Sequence, residues 1–478
     1  MVFRAIRTRA QRGITCLNPD AAYPRATLAA TILGSSLAFI DGSVVNVALP
    51  ALGSDLHAGP SALPWVITAY LLPLGALILL GGGLGDHYGR RRLFLIGLAT
   101  FLLASIMCAV APSVAYLLAG RWIQGLGAAL LMPNSLAILG SEFSGELRGR
   151  AIGTWAAVGA LAGALGPVLG GWLIDAAGWR VIFLINVPLA VAAGYLAWKY
   201  VRERSENRNA APLDAPGAAL ATVALGLLTW SLTEASNTNG TAIIMPWMAA
   251  IAGSALLGAF LRRQQRLGDR ALMPLGMFAA PAFVGLTLLT FFLYGSLGGL
   301  VVLLPFFLIQ IEHWSAVAAG AALLPLPVLI AAGSRLMGRV AGRYGGRLPL
   351  SVGSGLVAVG LLLYSRVGTA TVLYWSDVLP PTLLVALGMG ASVAPLTTSV
   401  MASVDVRHVG IASGFNSAVA RIAGLIATAL LGFVFARQGS TETFVVGFRI
   451  ASLIGAGSAA AAAACALLLL PPGPAPSR

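Results

Sequence analysis

A single acidic residue, Asp41, lies deep inside a long apolar stretch near the start of the chain. The surrounding segment reads LAFIDGSVVNVALP from Leu37 to Pro50. Asp41 comes directly after an uncharged run from Ala26 to Ile40. Burial in hydrocarbon disfavours an ionised carboxyl group, whereas a nearby cation favours it. A carboxyl group balanced between the two effects can take up and release a proton near physiological pH. That is the chemistry of a proton carrier.

Arg121 is the candidate cation for that carboxyl group, because it also interrupts an apolar run, in the segment GRWIQGLGAA. An ionised side chain at such a depth costs at least about 2.5–3.5 kcal/mol on insertion scales. We predict that Asp41 and Arg121 form a proton-coupling pair, in which protonation of Asp41 releases Arg121. Two alternatives remain open. In the first, Arg121 extends to a bilayer surface. In the second, Asp41 only specifies packing, through hydrogen bonds to the backbone or Asn46.

The composition indicates the kind of protein that holds these charges. Hydrophobic residues make up 58% of the 478 and charged residues only 10%, against about 25% charged in soluble domains. Uncharged segments of roughly 20 residues recur along the chain, and each is long enough to cross a bilayer. The net charge of +14 would suggest nucleic acid in a soluble chain, but here the basic residues fall in loops. We predict an all-α polytopic membrane protein with no nucleic-acid partner.

The apolar segments predict about fourteen membrane-spanning helices. They fall at 27–49, 63–84, 93–111, 114–139, 151–174, 181–200, 215–233, 245–262, 282–309, 316–335, 348–366, 377–400, 410–435 and 446–470. With a cytoplasmic N-terminus, the inner connections hold most of the arginines, and the outer ones hold little more than Arg180, Arg366 and Arg437. The positive-inside rule then predicts cytoplasmic N- and C-termini, in a bacterial cytoplasmic (inner) membrane.

A glycine- and arginine-rich pattern occurs twice, as GGLGDHYGRRRLFL (Gly82–Leu95) and as GRVAGRYGGRLPL (Gly338–Leu350). Internal repeats with a substrate site between them are a recurring design of transporters. If each segment opens the second connection of a six-helix bundle, the chain divides into five parts. They are a basic cytoplasmic segment (1–26), an N-terminal bundle (27–200), loops with two inserted helices at 215–233 and 245–262 (201–270), a C-terminal bundle (271–470) and a cytoplasmic tail (471–478).

Four segments resemble motifs of the major facilitator superfamily, and specifically of its fourteen-helix drug:proton antiporter branch. They are FIDGSVVNVALP in the first span, GGLGDHYGRR after the second, GRWIQGLGAA in the fourth and GALGPVLGG in the fifth. WRVIFLINVP, entering span 6, and GIASGFNSAVARIAG, in span 13, are similar to further features of that branch. The resemblance covers the chain from about Ala26 to Leu470. It implies a major-facilitator fold of two six-helix bundles plus two inserted helices.

The resemblance implies roles for particular residues. The segment after span 2 would form an inner gate, with five residues involved: Gly82, Asp86, Gly89, Arg90 and Arg91. Its glycines permit a tight turn, and Asp86 can pair with Arg90 or accept hydrogen bonds from a helix N-terminus. The family gate also uses the start of span 13, here around Gly410–Ser413. The alternative is a positive-inside anchor, which explains the arginines but not Asp86.

The span-5 segment implies the direction of transport, because in the family it is typical of exporters. Gly166 and Pro167 would bend the helix, since proline removes a backbone donor. Gly170 and Gly171 would let a neighbouring backbone approach closely.

The predicted function is proton-coupled efflux of drug-like amphipathic small molecules by alternating access. The alternative is a dedicated proton-driven exporter of one endogenous metabolite or antibiotic. Substrate-cavity candidates are the polar or aromatic groups inside predicted spans: Asn46, Gln124, Trp155, Tyr294, Asn416 and Arg421. No H-E-x-x-H, G-x-S-x-G or P-loop string occurs, so we expect neither an enzyme nor a nucleotide-driven pump. No cofactor or metal is expected, and the partners are the substrate, protons and the lipid bilayer.

Overall fold

The chain folds into long helices because a bilayer offers no water to its backbone, and a helix bonds its own amides and carbonyls. The computed structural model describes residues 24–59, 62–143, 145–203, 214–235, 244–268, 271–368, 372–405, 409–431, 434 and 441–472. Within these ranges the secondary-structure elements are helices, which confirms the predicted all-α fold. The basic leader up to residue 23, most of the linker after residue 203 and the end of the tail lie outside the described residues.

The first part of the chain forms α1 to α6, whose bounds are Pro24–Asp55, Leu63–Tyr88, Arg90–Ala109, Val114–Glu142, Gly145–Ala177 and Val181–Tyr200. α2 bends by 54° between Ile78 and Leu80, next to the glycines Gly81–Gly83, which weaken a helix because they carry no side chain. α6 is interrupted at Ile185, so its second part begins at Asn186.

The two helices that were predicted to be inserted are α7 and α8, at Ala215–Ala235 and Ile244–Leu267. The last part of the chain forms α9 (Pro281–Gln310), α10 (Ala316–Ala322 with Pro325–Tyr344), α11 (Arg347–Tyr364), α12 (Leu379–Ala402), α13 (Val409–Leu430) and α14 (Thr441–Leu469). A π-helical turn, Tyr374–Val378, leads into α12.

The number of membrane crossings is not established as fourteen. Among the described residues, twelve helices are long and apolar enough to cross a bilayer, and the bent α2 makes a thirteenth when its two parts are taken as one span. α5 runs from Gly145 to Ala177, and its part counted as apolar among the described residues is Leu161–Ala177, so α5 is not one of these twelve. The polytopic helical architecture is confirmed, and the exact count stays a prediction.

Helices of the first part pack mainly on one another, and so do those of the last part. α1 contacts α4, α5 and α6, and α4 also contacts α2 and α3. In the last part α9 contacts α13 and α14, while α12 contacts α10 and α11. The main contacts between the two groups join α2 to α13, α5 to α10 and α1 to α9.

The two ends of the molecule differ in how these groups meet. We call the end with the Gly89 and Gly345 turns the arginine end, and the end with Trp179 and Trp314 the far end. At the far end one apolar core includes residues of both groups, such as Leu49 on α1 and Phe307 on α9. At the arginine end the core of the first group, around Phe94 and Phe101, includes no residue of the last group. The two groups therefore share an apolar core at the far end, and α2 also meets α13 near the middle of both helices, where Gly75 faces Arg421 and Ile422.

A buried polar cluster holds α7 and α8 together. Asp214 is 4% exposed, and its carboxylate accepts hydrogen bonds from Arg263 Nε at 2.6 Å, Gln264 Nε2 at 2.8 Å and the Gly217 amide at 2.9 Å. Gln264 Oε1 in turn accepts from the Met273 amide at 3.1 Å. Burial raises the pKa of Asp214, but these hydrogen bonds outweigh it and hold that pKa below its usual value. The cluster therefore ties the start of α7, the end of α8 and the chain before α9 together.

Candidate functional site

Asp41 of α1 and Arg121 of α4 form a direct ion pair in the interior of the first helix group. Arg121 Nη1 donates to Asp41 Oδ2. The two side chains are 0% and 1% exposed, so neither contacts the lipid surface. The alternative in which Arg121 extends to a bilayer surface is therefore wrong for this structure.

Arg121 has further partners that compensate for its removal from water. Its Nη1 donates to Gln124 Oε1 at 2.8 Å, and its Nε donates to the Val66 carbonyl at 3.0 Å. The guanidinium carbon also lies 4.5 Å from the centre of the Tyr70 ring and 5.8 Å from that of Phe183, close enough for cation–π attraction. A buried charge is tolerated only with such compensation.

The other oxygen of the Asp41 carboxylate faces amide groups. Gln124 Nε2 lies 3.2 Å from Asp41 Oδ1, and Asn186 Nδ2 lies 3.5 Å from it. Both amides also donate to the Ser105 hydroxyl, at 2.8 and 3.3 Å. Asp41 thus sits in a polar network built from α1, α3, α4 and α6, and each of its contacts is suited to an ionised carboxylate.

Small residues of the GRWIQGLGAA segment bring these helices together. A Cβ atom at Gly125 would lie 2.4 Å from the Tyr70 carbonyl oxygen, and one at Gly120 would lie 2.7 Å from Cys108 Sγ. Because side chains at these positions would clash, glycine lets α2 and α3 approach α4 closely enough to enclose Arg121. The motif therefore supplies both the charged side chain and the glycines that let neighbouring helices enclose it.

The gate segment at the arginine end also contains a carboxylate–guanidinium pair. Gly89 has φ +99°, which favours glycine, and it makes the turn between α2 and α3. Arg90 Nη2 lies 2.8 Å from Asp86 Oδ1, and Arg90 Nη1 donates to the Ala137 carbonyl of α4 at 3.0 Å. Of the two other predicted gate residues, Arg91 donates to the Trp198 carbonyl, and Gly82 packs near Pro133. The structure thus gives Asp86 an arginine partner one helical turn away.

The α5 segment lies where the two helix groups meet at the far end. A Cβ atom at Gly171 would lie 2.4 Å from the Ala316 carbonyl oxygen of α10. On the other side, a Cβ atom at Gly320 of α10 would lie 2.3 Å from the Pro167 carbonyl oxygen. Gly166 and Gly170 instead pack against Ser43 and Val44 of α1. α5 therefore contacts α1 and α10 through its glycines.

The substrate-cavity candidates have different neighbours in the structure. Gln124 is fully buried in the ion-pair network, and Asn46 is 5% exposed on α1. Trp155 donates from Nε1 to the Ser35 hydroxyl at 2.9 Å, which ties α5 to α1. Asn416 accepts from the Thr290 hydroxyl at 2.6 Å, between α13 and α9.

The other two candidates are also partly enclosed. Tyr294 is half-buried on α9 and packs against the core that both groups share. Arg421 of α13 lies against α2, with its Cβ 3.5 Å from where a Cβ of Gly75 would be. A contact with substrate stays a prediction for all six candidates.

Sequence reasoning missed Asn186, Ser105 and Tyr70 as members of the site. Asn186 had a signal, because it is an uncharged polar residue within the apolar part of WRVIFLINVP. Ser105 had none, since a serine within an apolar helix usually bonds its own backbone, as Ser105 does to the Phe101 carbonyl at 2.8 Å. Tyr70 likewise reads as one more aromatic residue in a span.

Comparisons with known proteins agree with this architecture. The model of the Major Facilitator Superfamily matches residues 31–428. The multidrug resistance protein Stp of Mycobacterium tuberculosis is 36% identical over 420 residues, which are 86% of this chain and 75% of that protein. The tetracenomycin C resistance and export protein of Streptomyces glaucescens is 30% identical over 420 residues, 87% of this chain and 76% of that protein. The crystal structure of a D-xylose–proton symporter aligns with a TM-score of 0.67 at 15% identity, covering 94% of this chain and 99% of the symporter.

Proposed function

This chain belongs to the Major Facilitator Superfamily, and we propose that it exports amphipathic, drug-like small molecules in exchange for protons. Its relatives include drug-efflux and antibiotic-resistance transporters, which supports the direction of transport. Within the superfamily we assign it to the fourteen-helix drug:proton antiporter branch, in a bacterial cytoplasmic membrane with the arginine end and both termini on the cytoplasmic side. The arginines of that end support this orientation through the positive-inside rule.

The observation that carries proton coupling is the sealed Asp41–Arg121 pair. A carboxylate at this depth is costly, and buried ionisable groups in membrane proteins are typical of ion and proton pathways. A guanidinium with several fixed partners keeps its charge whether Asp41 is ionised or neutral. Protonation of Asp41 therefore removes one half of the ion pair, so Arg121 is released and the packing of α1 against α4 changes.

The exchange cycle uses the two helix groups as alternating gates. A structure open at the arginine end with the ion pair formed corresponds to the stage after the proton has left, when cargo can bind from the cytoplasm or inner leaflet. Binding of cargo is followed by closure of the arginine end, where Asp86 and Arg90 form part of the gate. Separation of α5 from α10 then opens the far end, where cargo leaves and a proton binds Asp41. Because Asp41 is sealed in this structure, proton exchange requires local movement of α1, α4 or α6.

The proton gradient is the energy source, and no cofactor is needed. A proton that crosses the full membrane field yields about 2.3 kcal/mol per 100 mV. Since 1.4 kcal/mol corresponds to a tenfold ratio, one proton driven by 100 mV supports export of an uncharged molecule against roughly a fifty-fold concentration gradient. Exchange of one proton for one monocation moves no net charge, so the pH difference alone drives it.

Neutral or monocationic amphipathic molecules are the proposed cargo. One deeply buried carboxylate, already paired with arginine, is poorly suited to a dication. Arg421, whose Nε has no hydrogen-bond partner among the described residues, also keeps anionic compounds within the range of cargo. The second candidate function is dedicated export of one endogenous metabolite or antibiotic, which relatives named for a single antibiotic, such as the tetracenomycin C protein, support.

Transport into everted membrane vesicles tests the proposal. Vesicles from a bacterial host without its own exporters would carry the full chain, with ethidium as a monocationic probe. We expect ethidium uptake into the vesicle lumen on energisation and its loss when a proton uncoupler is added. Uptake equal to that of vesicles lacking the protein contradicts export, and uptake that persists with the uncoupler contradicts proton coupling. A resistance profile against chemically unrelated compounds then separates the two candidate functions, because a dedicated exporter protects against one class only.

A further inference from the structure

Asn186, at the break within α6, is fully buried beside Asp41. Its Nδ2 group is held by two long contacts, 3.5 Å to Asp41 Oδ1 and 3.3 Å to the Ser105 hydroxyl. Its Oδ1 atom has no hydrogen-bond partner among the described residues. Buried acceptors without a partner are rare and unfavourable, so an unpaired oxygen next to the ion pair calls for a physical reason.

Gln124, the other amide of the network, is held at both ends. Its Oε1 accepts from Arg121 Nη1 at 2.8 Å, and its Nε2 donates to the Ser105 hydroxyl at 2.8 Å. Rotation of the Gln124 amide by half a turn would break both short bonds. Rotation of the Asn186 amide would break only its two long contacts and would aim a free acceptor at Asp41. Asn186 is thus the more easily turned of the two amides.

The other groups that face Asp41 are poor acceptors for a proton on it. Arg121 carries donors only. The Tyr70 hydroxyl donates to the Ala38 carbonyl at 3.0 Å, and Cys108 Sγ contacts Gln124 Oε1 at 3.5 Å. α5, α9 and α10 also pack on α1, and the titratable residue within α9 is Tyr294, while those of α5 and α10 lie towards the helix ends.

We propose that Asn186 is a positioning residue that accepts the proton of neutral Asp41 in a hydrogen bond, by turning its side-chain amide over. With Asp41 ionised, Asn186 Nδ2 faces the carboxylate, as observed. When a proton from water binds Asp41 Oδ1, that oxygen becomes a donor and Asn186 Oδ1 accepts from it. The turn breaks the two long contacts of Asn186 Nδ2, to Asp41 Oδ1 and to the Ser105 hydroxyl, and protonation weakens the ion pair with Arg121. The inference rests on the proposed function, because it takes Asp41 to be the proton carrier.

An infrared titration of the full chain in lipid vesicles tests the inference without requiring transport. The carboxylic acid band of Asp41 is identified as the band that Asp41→Asn removes, and its midpoint is followed with pH. In Asn186→Leu the neutral form loses its acceptor, while the ionised form loses only a long contact. We therefore expect the midpoint to move to lower pH by about 0.4 to 1 unit, the worth of one hydrogen bond. An unchanged midpoint, or one at higher pH, overturns the inference, because a donor-only role for Asn186 would raise it.

Two further variants keep this test decisive. Asn186→Ser retains a hydroxyl acceptor and should shift the midpoint in the same direction by less, which gives the sign if the leucine variant does not fold. Thr382→Val removes a buried hydroxyl that donates to the Val378 carbonyl at 2.6 Å in the last helix group, and it should leave the midpoint unchanged. An equal shift in Thr382→Val would contradict a specific effect of Asn186.

The inference and the proposed function fail in different ways. If Asp41 shows no titrating band, the inference is wrong, whereas proton-driven uptake in vesicles would keep the proposed function with another carrier. If the midpoint shifts as expected and no ethidium–proton exchange occurs, the inference stands and the proposed function is wrong.

Discussion

Two of the carboxylate–guanidinium pairs among the described residues have the same chemistry in opposite surroundings. Asp41 and Arg121 join two helices and are sealed from solvent. Asp86 and Arg90 lie one turn apart at the arginine end, with side chains 48% and 38% exposed. Both pairs were singled out by sequence motifs, but their surroundings give them different physical weight.

Solvent explains the difference between the pairs. Two charges 4 Å apart attract with about 1 kcal/mol in water, and several times more strongly where the effective dielectric constant is near 20. Water can also solvate either member of an exposed pair if the other is lost, so exposed pairs contribute only about 0–1 kcal/mol. A buried pair has no such replacement. Its two members are energetically coupled, which is the property that a proton switch requires.

The largest effect is expected when the buried pair loses its cation. Arg121→Met should destabilise the protein by about 3–5 kcal/mol, because Asp41 is left as an uncompensated buried charge. Thermal unfolding in detergent, followed by the fluorescence of the protein, measures this loss.

A double variant sharpens the comparison. Asp41→Asn combined with Arg121→Met should be more stable than Arg121→Met alone, because the stranded carboxylate is gone. Equal stability of the single and double variants would show that the two groups are not coupled, and that the sealed pair resembles the exposed one.

An intermediate effect is expected at Asp214, whose carboxylate is buried while its partner Arg263 is 38% exposed. Asp214→Asn should destabilise the protein by about 1–2 kcal/mol, because Arg263 can turn to water while charged hydrogen bonds are lost. Since the folded pKa of Asp214 lies below its usual value of 3.8, its contribution is complete above that value and is lost as pH falls through the folded pKa. Thermal unfolding of both forms at pH 7 and at pH 3 measures the difference, and a larger gap at pH 3 would contradict this account.

The smallest effect is expected at the exposed pair. Arg90→Gln should change the stability by about 0–1 kcal/mol, and added salt should reduce that difference because exposed charges are screened. The same unfolding measurement at low and high ionic strength checks it. A loss of more than about 2 kcal/mol, insensitive to salt, would mean that this pair is as strongly coupled as the buried one.

The sequence predicted the helical architecture because its signal is local. Apolar segments of bilayer length and arginine-rich turns are visible in the chain itself, and the two interruptions by Asp41 and Arg121 were visible in the same way. The exact number of crossings depends less on such local signals. It depends on helices such as α2, which bends by 54°, so that its two parts make a span only when they are taken together.

The neighbours of each charge were harder to predict. Which face of α6 meets α1 is decided by packing, so nothing in the sequence paired Asn186 with Asp41. Nor did the sequence predict the neighbours of Gln124. A polar residue within a span was expected in the substrate cavity, yet its amide is bonded to Arg121 and Ser105. Polar residues within an apolar span are easy to recognise in the sequence, but tertiary packing decides which groups they contact.

Proton–ethidium exchange in liposomes reconstituted with Asp41→Asn tests the central claim most directly. Asp377→Asn is the matched control, since it makes the same substitution at a half-buried carboxylate that accepts from the Leu373 amide at 2.8 Å. The account predicts that an imposed proton gradient drives ethidium transport in the wild type and in the control, and that it drives none in Asp41→Asn. Undiminished proton-driven transport in Asp41→Asn would contradict the account and remove Asp41 from the coupling mechanism.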